Sequence, residues 1–436
     1  MMMELLMFIG WLALTGGDTL PKEGALPQKV TYVNHRLLAV TPQNKEQADF
    51  LAELENSGHL GLDVWIEPRV NHQGRVRVPP ETYQRFVDLI NAAGIQYEVK
   101  HENIQDLLDN PPQEKSYSGV QHYFNGIVDH TKYNDLATIN NYITGFANSF
   151  SGVSTGTLDH TTYEGRSTSY IHINNPNVSG KKRIFIEAGI HAREWVTPAS
   201  SMYFVDRMLH ERSIPGSQAE FLYNNFEWYI VPVTNPDGYT YTHTTDRLWR
   251  KNRNTCSSIF GRGVDLNRNW DANFGGTGSS SSCFSDTFRG ASVFSEAETR
   301  NIRDWVSSIQ SNEGPISAYL SIHSYSQYLL VPYGYAENTV PDNNAEIRRI
   351  TNLAKDAIRN LPYQKEYFVG TAPEILYVAS GTSSDWARLN ANIPYAMTYE
   401  MRPDANANSG FELPASEIIP TGEDLWVSMH AIVSEL

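Results

Sequence analysis

The run Gly189-Ile-His191-Ala-Arg193-Glu194-Trp195 sets an imidazole and a carboxyl three positions apart, just past a dense apolar stretch at 183–189 that reads as a buried strand. A nitrogen and an oxygen donor so placed can grip one Zn²⁺, but a catalytic site needs a third ligand and an open position for water. A chain with 13 His and 49 Asp plus Glu offers such spacings by chance, so the pair alone says little. His323 closes a second strand-like run at 318–323 and can supply the third donor, because ligands collect at strand ends in open α/β sheets. A helical His-Glu-x-x-His arrangement is absent.

Gly152-Val-Ser154-Thr-Gly156 suggests a different chemistry, that of a serine hydrolase. A nucleophile elbow demands a strand before the serine and a helix after it. Neither Asn148-Ser-Phe-Ser151 nor Gly156-Thr-Leu-Asp-His160 provides these, so the segment reads as a loop.

Whatever the chemistry, long strands and helices alternate from about residue 120 onward and must position it. Strands are predicted at 183–189, 227–233, 318–323 and 395–401, and helices at 197–210 and 344–361. Asn235-Pro-Asp-Gly238 reads as a turn ending the second strand, Gly275 to Ser282 as a low-complexity loop, and Thr421 as the cap of a C-terminal helix. Alternation over some 320 residues implies an α/β sandwich with helices on both faces of the sheet.

Residues 29–102 have another rhythm. Short strands at 30–40, 62–67, 75–78 and 96–100 surround two amphipathic helices. The first, 44–55, carries Ala48, Leu51 and Leu54 at helical spacing. The second follows Pro79-Pro80, aligns Tyr83, Phe86, Val87, Ile90 and Ala93, and stops at Gly94. The order β-α-β-β-α-β is that of a ferredoxin-like unit. Residues 103–115, polar and proline-bearing, read as an exposed connecting segment.

At 436 residues the chain suits two or three domains. Its 34 Lys plus Arg against 49 Asp plus Glu leave a formal charge of −15, which excludes a nucleic-acid partner. The apolar fraction of 40% supports a large core, and no apolar run is long enough for a membrane span. Residues 1–17 read as a secretory signal peptide with Glu4 where a basic residue is usual, the alternative being a buried N-terminal helix; 18–28 is a short N-terminal segment. Export would let the two cysteines, Cys256 and Cys283, pair rather than remain buried thiols, and Asn177-Val-Ser179 is a glycosylation sequon.

Several separate motifs then recur in one order: His191-Ala-Arg-Glu-Trp195, Asn235-Pro-Asp-Gly238, Leu248-Trp-Arg-Lys251, Asp265-Leu-Asn-Arg-Asn-Trp270, Ile322-His-Ser-Tyr325, Tyr377, Tyr399-Glu400 and Leu413-Pro-Ala-Ser416. In these the chain resembles a zymogen of the zinc metallocarboxypeptidase family, in its pancreatic-type A/B branch, over nearly everything after the signal. The resemblance implies a catalytic domain at 116–436 with a mixed, mostly parallel eight-stranded sheet and helices on both faces. A ferredoxin-like propeptide at 29–102 would precede it and block the cleft. His191, Glu194 and His323 would hold one Zn²⁺ per chain, Glu400 would be the general base, and Arg250 would stabilise the oxyanion.

Arg268, with Asn267 and Tyr377, would clamp the free carboxylate of a peptide or protein C-terminus. Arg193 and Tyr325 would line the cleft further out, with Phe411 as an aromatic wall. Ser384 falls where relatives carry the pocket-floor residue that sets specificity, among Gly334, Ala372, Leu376, Ala379, Thr382 and Thr398. A pocket lined by no charge would leave a terminal Lys or Arg unpaired, so neutral terminal residues are expected. A trypsin-like protease cutting after Lys115 would release the propeptide, in a secreted and digestive setting. A non-catalytic homologue would have lost ligands or base, which are all present here. A zinc amidase would not need Asn267, Arg268 and Tyr377.

Overall fold

The computed structural model describes residues 29–111, 126–256 and 261–436. Residues 1–28, with the expected signal peptide, and Lys115 lie outside the described residues. In the first unit, alternating apolar positions make four strands: β1 (Arg36–Thr41), β2 (Asp63–Ile66), β3 (Gly74–Val78) and β4 (Gln96–His101). They form one antiparallel sheet in the order β2-β3-β1-β4, the ferredoxin-like arrangement. Leu38, Val40, Val76 and Val78 face the helices Lys45–Ser57 and Tyr83–Ala92, whose Phe50, Leu51, Leu54, Phe86 and Ile90 complete a small core. Asn44 caps the first helix through the Gln47 amide, and Gly58 ends it with a left-handed φ of 69°.

Two expectations for this region are corrected. β1 starts at Arg36, because a turn at Val33 and Asn34, with Asn34 at φ 61°, breaks the run predicted from residue 30. Part of the connecting segment is a helix, Ile104–Asp109. Its Ile104 and Leu107 share a face and are buried with Tyr32, Trp65, Leu248, Tyr325 and Phe411. It is therefore packed where an exposed linker was predicted.

The second unit is built on eight strands: β5 (Val153–Thr157), β6 (Ser169–Ile173), β7 (Lys182–Ala188), β8 (Phe226–Val231), β9 (Ile316–Ser326), β10 (Tyr328–Leu330), β11 (Phe368–Gly370) and β12 (Tyr395–Asp404). The order is β11-β10-β12-β9-β7-β8-β6-β5, with β12, β9, β7 and β8 parallel at the centre. Central strands are apolar on both faces because both are covered. One face packs on the helices Leu136–Ser149, Val196–Glu211, Asn344–Arg359 and Ile418–Val433. The other packs on Ala297–Asn312 and Ser383–Leu389.

Local corrections follow the same logic of burial and capping. Ser154 lies in edge strand β5, not a loop; it is exposed, its Oγ is 3.2 Å from His172 Nδ1 on β6, and no helix follows. Asn235-Pro-Asp-Gly238 opens a helix, Pro236–Thr244, with the Asn235 side chain accepting from the Gly238 amide and proline in the first turn. The C-terminal helix begins at Ile418, so Thr421 sits within it and its hydroxyl donates to the Glu417 carbonyl. Cys256 and Cys283 form a disulfide, and Asn177 is exposed. Among the described residues no helix is long and apolar enough to cross a membrane.

Candidate active site and metal centre

The central strands turn from apolar to polar along one face. Phe185, Tyr319 and Ala396 of β7, β9 and β12 lie in the core beneath the helix Ser383–Leu389. Two residues further along stand Glu187, Ser321 and Thr398, in register across the three strands; two further again, His323 pairs with Glu400. Period-two alternation thus delivers His323 and Glu400 to one end of the sheet, on one face. After β7 the chain must bend sharply. Gly189 adopts φ 64°, where an added Cβ would lie 3.2 Å from the Pro232 carbonyl oxygen, and His191 and Glu194 follow before the helix Val196–Glu211 begins.

His191, Glu194 and His323 converge. His191 Nδ1 lies 2.8 Å from Glu194 Oε1, and His323 Nδ1 lies 3.1 Å from His191 Nδ1 and 3.3 Å from Glu194 Oε2. All three are almost fully buried. Two ring nitrogens this close, beside a carboxylate, make an N, N, O donor set that fits a divalent ion and matches the ligand chemistry of catalytic zinc sites. Burial pushes the Glu194 carboxyl up, but His191 and His323 outweigh it and hold the group well below the usual carboxylate range. Burial pushes Glu400 up to about 8, with Glu194 adding to the shift and His323, Arg250 and Arg268 opposing it.

Polar groups stand behind these three side chains. His191 Nε2 meets Asp265 Oδ1 at 3.0 Å, and the other Asp265 oxygen accepts from Arg250 Nη2 at 2.9 Å. Burial raises the Asp265 pKa, but Arg250 and His191 overcome it and leave the group ionised. Sequence reasoning assigned Asp265 no role although it opens a recognised motif. It also passed over Glu187 and Ser321, whose signal was a polar side chain at the inward position of an apolar strand.

Arg250, Asn267, Arg268, Tyr325, Tyr377, Ser384 and Glu400 line one pocket with His191 and Glu194. Arg268 is buried and donates to the Gly278 carbonyl at 2.7 Å, to the Asn267 carbonyl at 2.8 Å and to the Tyr377 hydroxyl at 3.2 Å. Gly334, Ala372, Leu376, Ala379, Thr382 and Thr398 join the wall, and the Thr398 hydroxyl donates to Ser384 Oγ at 2.8 Å. The expectation of an uncharged specificity wall needs one correction: Asp385 is part of it. Its carboxylate accepts from the Gly334 and Tyr335 amides at 2.8 and 3.1 Å, and burial lifts its pKa to about 7.

Arg193 is not on the pocket wall. It is buried behind Phe411, its guanidinium 4.2 Å from that ring, and pairs with Asp63 of β2 at 2.8 Å. The same Asp63 accepts from Arg77 at 3.1 Å and from the Trp65 indole at 3.0 Å. Trp65 packs edge-on against Phe411, which in turn meets Tyr325, and Trp65 and Ile66 line the active-site pocket itself. Arg69 donates to the Ile375 carbonyl, two residues before Tyr377. The first unit therefore covers the cleft with residues 63–69.

The chain matches the zinc carboxypeptidase family model over residues 139–428 and the carboxypeptidase activation peptide over residues 38–111. It is 34% identical to zinc carboxypeptidase A 1 of Drosophila melanogaster over 94% of this chain and 93% of that one. It is 35% identical to carboxypeptidase A1 of Bos taurus over 94% and 96%. Among solved structures, carboxypeptidase A from Helicoverpa armigera superposes with a TM-score of 0.80 at 31% identity, covering 93% of this chain and 98% of that one. The chain belongs to the zinc carboxypeptidase family. It is a peptide hydrolase that uses zinc and carries its own activation peptide.

Proposed function

We propose that this chain is a secreted proenzyme that removes neutral residues from peptide C-termini once a trypsin-like protease has cut the segment after its activation peptide, as in digestion. His191, Glu194 and His323 hold the ion. A zinc ion held by these three side chains would supply Lewis acidity toward water and the scissile carbonyl. Glu400 takes the proton from the attacking water and passes it to the leaving amine. Arg250, fixed by Asp265, faces the oxygen that gains charge. Arg268 grips the terminal carboxylate through its fork of donors, with Asn267 and Tyr377 beside it. Arg193 and Tyr325 take residues further up the substrate after the propeptide leaves.

The observation that carries the specificity is the pocket wall around Ser384. It offers three hydroxyls, of Thr382, Ser384 and Thr398, apolar surface and one carboxyl that already accepts from backbone amides. A terminal lysine or arginine would enter with no free partner. The test compares release of C-terminal Phe, Leu, Glu and Arg from otherwise identical peptides, before and after trypsin. Release of Phe and Leu only after trypsin is expected. Fast Arg release with none from Phe would refute the reading.

A further inference from the structure

The two imidazoles of the metal centre are backed unequally. Behind His191 stands a carboxylate in direct contact, Asp265. Behind His323 the nearest group is a hydroxyl: Nε2 lies 3.0 Å from Ser321 Oγ, and Ser321 Oγ lies 2.8 Å from Glu187 Oε1. Glu187 is fully buried on β7, opposite Ser321 in the strand register.

The direction of these hydrogen bonds follows from the chemistry. With Nδ1 turned toward Glu194 and His191, a ligating His323 must carry its ring proton on Nε2. Asn267 Nδ2 at 3.3 Å cannot receive that proton, because the Asn267 amide oxygen is committed to the Ser383 amide and leaves an NH₂ group facing the ring. Ser321 Oγ is the acceptor. A serine hydroxyl can also donate, and a Ser321 that donated to Nε2 would move the ring proton to Nδ1 and remove the ligand atom. The Glu187 carboxyl removes that choice by accepting the Ser321 hydrogen.

We propose that Glu187 is a positioning residue that acts through Ser321, fixing His323 in the tautomer and ring orientation that binds the metal. This rests on His323 being a zinc ligand. Carboxylates placed behind metal-bound histidines commonly change affinity 10- to 100-fold when lost. Here the carboxylate works through a hydroxyl, so both groups are needed.

The test is a set of zinc dissociation constants for the full chain, measured by competition with a chelator, with thermal unfolding of the zinc-free form alongside. Ser321→Ala is expected to weaken zinc binding about 10- to 100-fold, and Glu187→Gln, equal in size, about 10-fold. The double variant should bind no more weakly than Ser321→Ala alone, and Ser321→Thr should restore affinity. None of these changes should lower the unfolding temperature of the zinc-free form in proportion. Equal affinity in Ser321→Ala and the parent, or fully additive losses in the double variant, would overturn the relay. His323→Ala separates the two readings: if it leaves zinc affinity intact the ligand assignment fails, and if it alone weakens binding only the relay fails.

Discussion

Buried carboxyls occur in two clusters whose electrostatics are opposite. At the metal centre, Glu194 and Asp265 are ionised against their burial, because His191, His323 and Arg250 surround them. At the seam between activation peptide and catalytic unit, burial wins. Glu55 accepts from Ser285 Oγ at 2.8 Å and from the Asp286 amide at 3.0 Å, yet is pushed up to about 7 by burial, with Glu67 adding. Asp286 is raised to about 7 by burial and by the neighbouring Asp63, against Arg193 and Lys251. The permanent site supplies Glu194 and Asp265 with counter-charges and leaves only Glu400 raised, where a proton acceptor is useful. This removable interface leaves three of them, Glu55, Glu67 and Asp286, short of counter-charge, so its hold on the cleft is expected to weaken as they lose their protons.

That contrast can be broken at several points. Glu400→Gln, which removes the proposed base and little else, should lower the turnover of the activated enzyme by about a thousandfold while zinc content stays at one per chain. Turnover within a few-fold of the parent would mean that another group takes the proton.

Asp63→Ala attacks the seam where it is best balanced. Breaking a buried ion pair costs about 3–5 kcal/mol, and undocking relieves that cost by returning Arg193 to water. After trypsin treatment the variant's propeptide should inhibit the enzyme at least about a hundredfold less well, seen in the concentration of nicked chain at which activity appears. Unchanged inhibition would shift the weight of docking to Trp65 and Phe411.

Asp265→Asn should weaken zinc binding about 10- to 100-fold, because it loosens His191 and strips Arg250 of its partner together. Zinc affinity equal to the parent's would show that His191 needs no carboxylate behind it.

The smallest effect concerns pH. Glu55, Glu67 and Asp286 have raised values in the docked state, so they favour docking while protonated. That contribution is complete below the ordinary carboxyl range and is lost as pH rises through about 7. Asp63 runs the other way. Burial pushes it up, but Arg193 and Arg77 hold it far below the ordinary range, so its contribution fails only in stronger acid. Chain nicked at one pH and then shifted should release activity about tenfold more readily near pH 8 than near pH 5. Glu55→Gln and Glu67→Gln with Asp286→Asn should flatten that dependence. A flat profile in the parent would show that the seam relaxes on losing its protons.

Much of the site was legible because its residue types are rare and chemically explicit. His191 and Glu194 follow a strand that the apolar pattern marked, His323 and Glu400 lie toward the far ends of two others, which run on to Ser326 and Asp404, and the ordered motifs joined them to Arg250 and Arg268. Helix starts were read less well. Asn235-Pro-Asp-Gly238 uses the same residues for a turn as for a capped helix, and only the following packing of Tyr239 and Thr242 distinguishes them. The helix at Ile104–Asp109 was hidden because six residues hold too little periodicity against flanking polar sequence. Ser154 was misplaced because its edge strand, Val-Ser-Thr-Gly-Thr, lacks the bulky alternation of a covered one.

Sequence alone determined the donor atoms, the alternation that sends them to one face, and the split between a small ferredoxin-like unit and a large α/β one. These are local properties, set by residue type and by a period of two or three and a half. Tertiary structure decided what stands behind and in front of those donors: Asp265 behind His191, Ser321 and Glu187 behind His323, Asp63 in front of Arg193. Such pairings join side chains 2 to 134 positions apart, and burial then sets which carboxyl keeps its proton. Neither distance nor desolvation is written in the spacing of residues along the chain, because both exist only once the strands have stacked.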